Sequence, residues 1–245
     1  MNYAALLAGG KGTRMGGDLP KQFRKVCGRP ILAHTADRFL RCEAIAHVIV
    51  AVPEDWLAYT RALLAREFPG EDRLSVIAGG EDRQTTLKHA CAFLKDRFSV
   101  QDDDILLTHD AVRPFVTQRV IEENIRSAER FGAVSTAVPS VDTILQTENG
   151  ETVAAIPDRS TLYCTQTPQT FQVGRLLALA ESLTEEEEKS LTDACKIFVL
   201  KGEPVHLVRG EFFNIKITTP YDMAIAEAIA ARFSEQEPEG AFNTA

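Results

Sequence analysis

Short apolar runs recur along the chain, separated by stretches whose apolar positions fall three or four residues apart. The runs YAALLA (from Tyr3), HVIVAVP (His47 to Pro53), LSVIAGG (Leu74 to Gly80), DILLTHD (Asp104 to Asp110) and AVSTAV (Ala133 to Val138) have the length and continuity of strands buried on both faces. Amphipathic segments lie between them. In TQRVIEENIRSAERFG, Val120, Ile121, Ile125 and Ala128 share one face and Gly132 ends the helix. Strands alternating with helices predict an α/β fold: a Rossmann-like, mostly parallel sheet with helices on both faces.

The pattern breaks at Pro139. From there to about Thr167 the chain is polar and punctuated, and TENGE marks a hairpin turn. So long a stretch is unusual in a compact domain, so it predicts an excursion with its own role. The core pattern resumes with TFQVGRLLALAESL, DACKIFVLKG and the strand PVHLVRG. A last helix starts with Thr219 as N-cap, Pro220 at the first helical position and Asp222 completing a capping box. The run EEEEK (Glu185 to Lys189) reads as a solvated helix end, and residues 234–245 read as a disordered tail. The expected organisation is one domain over 1–233, with an arm at about 139–167.

A hydrophobic fraction of 44% and a charged fraction of 25% are ordinary for a soluble domain with a sizeable core. The net charge of −8 argues against duplex nucleic acid as a partner, yet leaves room for a nucleotide held by a few local cations. Five scattered cysteines (Cys27, Cys42, Cys91, Cys164, Cys195) without a C-x-x-C pair suggest neither a disulfide framework nor a zinc site. The start MNYAALLAGG lacks the basic segment of a signal peptide, and no apolar run approaches the ~18 residues of a membrane span. A cytoplasmic location is expected.

The chemistry concentrates at strand ends. After the first strand comes LAGGKGTRMGGDLPKQF, which resembles two phosphate-binding signatures and satisfies neither. Gly10-x-Gly12 is followed by Met15 where a dinucleotide fingerprint needs glycine, and Ala5 stands where a P-loop needs its first glycine. What remains is a glycine turn carrying Lys11, Arg14 and Lys21 at the carboxyl end of a strand, where α/β sheets bind ligands. Its bland alternative is a turn with solvated cations.

Asp110 and Arg113 close the fourth strand. An acid there suits Mg²⁺ bridging phosphates, and equally suits a capped turn with an Asp110–Arg113 pair. In GGEDRQTTL, glycines precede a helix opened by Arg83, Thr85 and Thr86. The turn can read a base edge, or can simply cap a helix through Asp82 or Thr85. In NIKIT, alternation turns Lys216 away from Ile215 and Ile217, and a cation on an apolar strand is costly unless paired. The histidines lack metal-binding spacing and no nucleophile motif appears.

LAGGKGTRMG followed by PKQF resembles the signature loop of sugar-phosphate nucleotidyltransferases, in particular cytidylyltransferases of polyol phosphates. Two families share it, acting on 2-C-methyl-D-erythritol 4-phosphate and on ribitol 5-phosphate. The resemblance continues in GGEDRQTTL, THDAVRPF, VDTI, QTPQTF, TDACK and FFNIKITTPYD, and so covers the chain to about Phe233. It implies a nucleotidyltransferase fold with a β-arm that reaches a partner subunit in a homodimer.

For the site, the resemblance implies nucleotide contacts from Leu7, Ala8, Gly9, Gly10, Gly12, Gly80, Arg83, Thr86 and Asp110. Asp110 would hold Mg²⁺. Arg14, Lys21 and Lys216 would serve transfer, and Arg113, Thr143, Arg159, Thr167 and Thr192 would bind the acceptor, with Thr143 and Arg159 acting across the interface. The substrates implied are CTP and a polyol phosphate. AGGKGTRM, QTPQTF, LTDACKI and NIKITTPYD look closer to the ribitol 5-phosphate enzymes. That places ribitol 5-phosphate first, with CDP-ribitol serving teichoic-acid or capsule-type polymers and a separate reductase supplying the acceptor. The alternatives are the methylerythritol reaction of isoprenoid synthesis and a non-catalytic nucleotide-binding module. A dinucleotide oxidoreductase is disfavoured by the broken fingerprint.

Overall fold

In the computed structural model, which describes residues 1–10 and 19–235, seven strands form one sheet flanked by helices. The chain begins with β1 (Asn2–Leu7), the small hairpin β2 (Lys25–Val26) and β3 (Arg29–Pro30), and α1 (Ile31–Leu40). Then come β4 (His47–Val52), α2 (Leu57–Glu67), β5 (Leu74–Ala78), α3 (Arg83–Arg97), β6 (Ile105–Asp110), α4 (Gln118–Phe131) and β7 (Ala133–Pro139). The last third holds β8 (Tyr163–Gln172), α5 (Val173–Glu181), α6 (Glu185–Lys189), α7 (Cys195–Leu200), β9 (His206–Arg209) and α8 (Pro220–Glu235).

The sheet order is β5-β4-β1-β6-β8-β7-β9. All contacts are parallel except those of β8, which runs antiparallel to both β6 and β7. The expected mostly parallel α/β sheet is therefore present, with one inserted strand that periodicity does not reveal. Strand β8 reads YCTQTPQTFQ, and its buried side chains include Gln166, Thr167, Gln169 and Thr170. Those groups hydrogen-bond inside the molecule: Thr170 Oγ1 donates to Asn124 Oδ1 at 3.0 Å, and Gln169 Nε2 to Asp193 Oδ2 at 3.0 Å. A buried strand whose polar side chains bond inside the molecule, Gln169 Oε1 excepted, carries no hydrophobic run to read.

Alternation along the strands feeds two cores. From β1, Ala4 and Leu6 join a cluster with Leu32, Phe39, Val120 and Ile121 of α1 and α4, while Tyr3 and Ala5 join Leu87, Leu94 and Phe198 of α3 and α7. A third cluster sets Ile217 and α8 against Val26, Ile31, Val112 and Phe115.

Helix starts follow the expected chemistry. Asp82 caps α3 by accepting from Thr85 N at 2.7 Å, and Thr117 caps α4 through Val120 N at 3.3 Å. Gly132 ends α4 at φ +84°. At α8 the capping box is reciprocal: Asp222 N donates to Thr219 Oγ1 at 3.3 Å, and Thr219 N to Asp222 Oδ2 at 2.8 Å. EEEEK forms the separate short helix α6, capped by Thr184 and Glu187, and is not the end of a longer helix.

The excursion leaves the sheet after Pro139 and rejoins it at Tyr163, so Thr165 to Thr167 belong to β8. Its only ladder contact among the described residues is an antiparallel bridge between Gln146 and Ala155. The turn between them is held by Asn149 Oδ1, which accepts from Glu151 N and Thr152 N at 3.0 Å each. No described helix is long and apolar enough to cross a membrane. The tail beyond residue 235 lies outside the described residues.

Candidate active site

Three loops converge at the carboxyl ends of β1, β5 and β6 and enclose a cavity of about 340 Å³. Leu7, Ala8, Gly9 and Gly10 form one wall as β1 ends. Gly80, Arg83 and Thr86 form the second, and Asp110 and Lys216 the third, with Lys21 and the exposed Thr192 at its margin. These candidate residues, far apart in sequence, thus border one space. A larger hollow of about 630 Å³ between α2 and β5 contains none of them. Gly12 and Arg14, like Lys11, lie outside the described residues.

Lys21 is placed by its neighbours. It opens a 3-10 turn (Lys21–Phe23) in which Gln22 is buried and donates from Nε2 to Ala8 O at 2.8 Å. Phe23 packs on Trp56 and Tyr59, with ring centroids 5.0 and 4.9 Å away. The turn is therefore stapled to the end of β1, and a Cβ on Gly10 would stand 3.6 Å from Lys21 Cε. A lone glutamine beside a charged motif carries no sequence signal of burial, so only the fold reveals the role of Gln22.

Thr86 shapes the second wall. Its Oγ1 accepts from Gly80 N at 3.0 Å and donates to Asp82 O at 2.7 Å, folding the glycine turn over the first turn of α3. A Cβ on Gly80 would stand 2.3 Å from Thr85 Cγ2 and 2.9 Å from the Thr85 carbonyl carbon, so only glycine fits. Thr86 reaches the cavity, but its hydroxyl is already engaged within the loop.

Asp110 is the electrostatic centre. Its side chain is 8% exposed and meets Arg83 Nη1 at 2.6 Å, Lys216 Nζ at 3.0 Å and Arg113 Nε at 3.3 Å. Burial alone would raise its pKa, but the charges of Arg83, Lys216 and Arg113 together hold the carboxyl far below its ordinary range. The Asp110–Arg113 pair forms, and Asp110 also borders the cavity. Three cations around one acid leave this cluster net positive, which suits a polyphosphate, while Glu81 and Asp82 add acid to the second wall.

Lys216 arrives differently from the expectation. The NIKIT segment lies outside the named strands and is an irregular connection between β9 and α8. Ile215 and Ile217 pack into the third core and Lys216 points the other way, so the alternation holds without a ladder. Arg113 and Thr167 sit behind the cavity wall. Burial lowers the Arg113 pKa against the pull of Asp110, and its Nη1 donates to Asn214 O at 2.8 Å. Thr167 Oγ1 accepts from Asp110 N at 3.1 Å. Thr143 and Arg159 are exposed on the excursion and do not border this cavity; Arg159 Nη1 donates to Val141 O at 3.2 Å.

His109 is fully buried against Phe39 and bonded through Nε2 to Arg113 O at 3.0 Å, and burial lowers its pKa to about 4. It is a neutral packing residue at neutral pH. Burial pushes the Cys91 and Cys195 thiols up to about 12, which removes them as nucleophiles. No group of three His, Cys, Asp or Glu side chains gathers among the described residues. Three carboxylates, Glu81, Asp82 and Asp110, border the cavity, and a carboxylate there suits Mg²⁺, which keeps several waters and takes phosphate oxygens.

A mostly parallel sheet whose strand-end loops gather glycines and cations around Asp110 fits a nucleotidyltransferase. The chain matches the model of the family "2-C-methyl-D-erythritol 4-phosphate cytidylyltransferase" over residues 3–232. It belongs to that family and is a CTP-dependent cytidylyltransferase. Among solved structures, it is similar to a 4-diphosphocytidyl-2C-methyl-D-erythritol synthase from Anaerococcus prevotii, at 26% identity with a TM-score of 0.78, covering 94% of this chain and 96% of that one. It is also similar to the 2-C-methyl-D-erythritol 4-phosphate cytidylyltransferase of Thermus thermophilus, at 28% identity and TM-score 0.69, covering 94% and 100%. The enzyme of that name from Francisella tularensis matches at 25% identity and TM-score 0.77, covering 93% and 98%.

Proposed function

We propose that the cavity binds CTP with its phosphates along Gly9 and Gly10 and transfers the cytidylyl group to the phosphate of a short polyol phosphate. An acceptor phosphate oxygen attacks the α-phosphorus in line. The bond from the α-phosphorus to the bridging oxygen breaks, pyrophosphate leaves, and a CDP-polyol remains. A phosphate monoester is already an anionic nucleophile, so positioning and charge neutralisation are the protein's whole task. Lys21 and Arg14 hold the departing pyrophosphate, and Lys216 meets charge on the α-phosphate. Asp110 would hold Mg²⁺, which when bound supplies neutralisation of phosphate oxygens. The observation that carries this reading is the cation set around Asp110 in the wall of the glycine-lined cavity.

For the acceptor, the family description and the named solved structures support 2-C-methyl-D-erythritol 4-phosphate. Ribitol 5-phosphate is the second reading, favoured by the wording of the motifs; coupling to a separate reductase belongs to that reading alone. The two acceptors differ by a methyl branch and chain length, a distinction worth ~1–3 kcal/mol in a pocket. Pyrophosphate release from Mg-CTP is expected with one acceptor far above the other and is expected to cease with EDTA. Release with neither acceptor, despite CTP binding, would overturn both acceptor readings and point to another polyol phosphate or to a non-catalytic nucleotide-binding module. Equal release with EDTA would remove the metal.

The exposed excursion displays Val141, Ile144, Leu145, Val153, Ile156 and Tyr163. A single bridge cannot hold such a segment alone, so it packs on a second copy in a homodimer and brings Thr143 and Arg159 to the partner's acceptor phosphate. Light scattering is expected to give twice the 27.0 kDa chain mass; a monomer at working concentration would defeat this arrangement.

A further inference from the structure

Four hydrogen bonds close a ring behind the cavity. Asp110 N donates to Thr167 Oγ1 at 3.1 Å, and the Thr167 carbonyl accepts from Asn214 Nδ2 at 3.0 Å. The Asn214 carbonyl accepts from Arg113 Nη1 at 2.8 Å, and Arg113 Nε returns to Asp110 Oδ2 at 3.3 Å. Asn214 is 0% exposed and does not border the cavity. Its Nδ2 also donates to Gln166 Oε1 at 3.3 Å. Gly210 leaves room for that contact, since a Cβ there would stand 2.3 Å from Gln166 Oε1.

The other half of the amide is unused: Asn214 Oδ1 has no partner among the described protein atoms. A buried acceptor left unpaired is a net cost, and an apolar residue of the same size would avoid it. What asparagine alone supplies is a donor that reaches the Thr167 carbonyl. Two residues on stands Lys216, and beyond it Ile217 N donates to Val112 O at 2.9 Å. Lys216 is therefore strung between two anchors, one in the ring and one on the turn that follows Asp110.

We infer that Asn214 is a positioning residue for cytidylyl transfer, holding Lys216 in register with Asp110 through the Thr167 carbonyl without touching substrate. The inference rests on the role proposed for Lys216, and a double-mutant cycle separates the two. Asn214→Ala, Lys216→Ala and the double variant are compared for kcat, KM of CTP and thermal midpoint. Small displacements of a catalytic group can cost up to ~10²-fold, so Asn214→Ala is expected to lower kcat by at least ~10-fold in the wild-type background. In the Lys216→Ala background its residual effect should fall within about twofold, because residues that act through one another are not additive.

A purely structural asparagine would lower the thermal midpoint and act equally in both backgrounds, which would overturn the inference while leaving Lys216 in place. An unchanged kcat in Lys216→Ala would overturn the reading of Lys216 and the inference with it. Should Asn214→Ala not fold, Asn214→Ser, which retains a short donor, carries the same cycle.

Discussion

Asp110→Asn is expected to lower kcat by on the order of 10³-fold, at the upper end of what a single preorganised electrostatic group contributes. The substitution preserves shape and removes the one negative charge shared by Arg83, Lys216 and Arg113. An amide also turns a donor toward three donors. Lys216 is 41% exposed and can swing to solvent, but Arg113 is 12% exposed and cannot. Breaking a buried pair by removing one partner costs ~3–5 kcal/mol, so thermal unfolding should report a loss of stability with the loss of turnover.

The pH profile separates this group from its neighbour. The folded-state pKa of Asp110 is depressed, so its contribution is complete above the ordinary carboxylate pKa and is lost as pH falls through and below it. His109 is buried neutral with its pKa lowered to about 4, so stability is lost over a higher window, from about 6.5 down to 4. Asp110→Asn should flatten the acid limb below about pH 4 and keep the loss above it. Near wild-type turnover in this variant would contradict the central role given to Asp110.

Lys21→Ala is expected to cost at least ~10²-fold in kcat with little change in thermal midpoint. Stability should survive because Gln22 and Phe23, not Lys21, anchor the turn to β1 and to Trp56 and Tyr59. Activity should not, because the Lys21 stem lies over Gly10, where the triphosphate is proposed to rest. Arg14→Ala is expected to act in the same direction. Steady-state kinetics with saturating CTP and the preferred acceptor would check both, and a fully active, folded Lys21→Ala would falsify the mechanism.

Which parts of this molecule were legible in the sequence follows from where polar groups are satisfied. Strands such as HVIVAV bury apolar side chains on both faces and therefore print continuous hydrophobic runs. Glycine turns at strand ends and the Thr219–Asp222 box are local geometry, written in adjacent residues. Strand β8 was hidden because its buried threonines and glutamines bond to partners such as Asn124 and Asp193, far off in sequence. Lys216 is visible as a cation between isoleucines, yet alternation does not distinguish a strand in a ladder from the extended connection it occupies.

The sequence by itself determined the alternating α/β plan, the glycine-and-cation loops at strand ends and the excursion after Pro139. These rest on periodicity, composition and short-range turn chemistry, all of which act between neighbours. Only the tertiary structure decided that β8 runs antiparallel between β6 and β7, that Arg83, Arg113 and Lys216 converge on Asp110, and that Gln22 and Asn214 hold the site from behind. Those contacts join residues as far as 106 positions apart, and a hydrogen bond or ion pair across such a distance leaves no period in the chain for a reader to find.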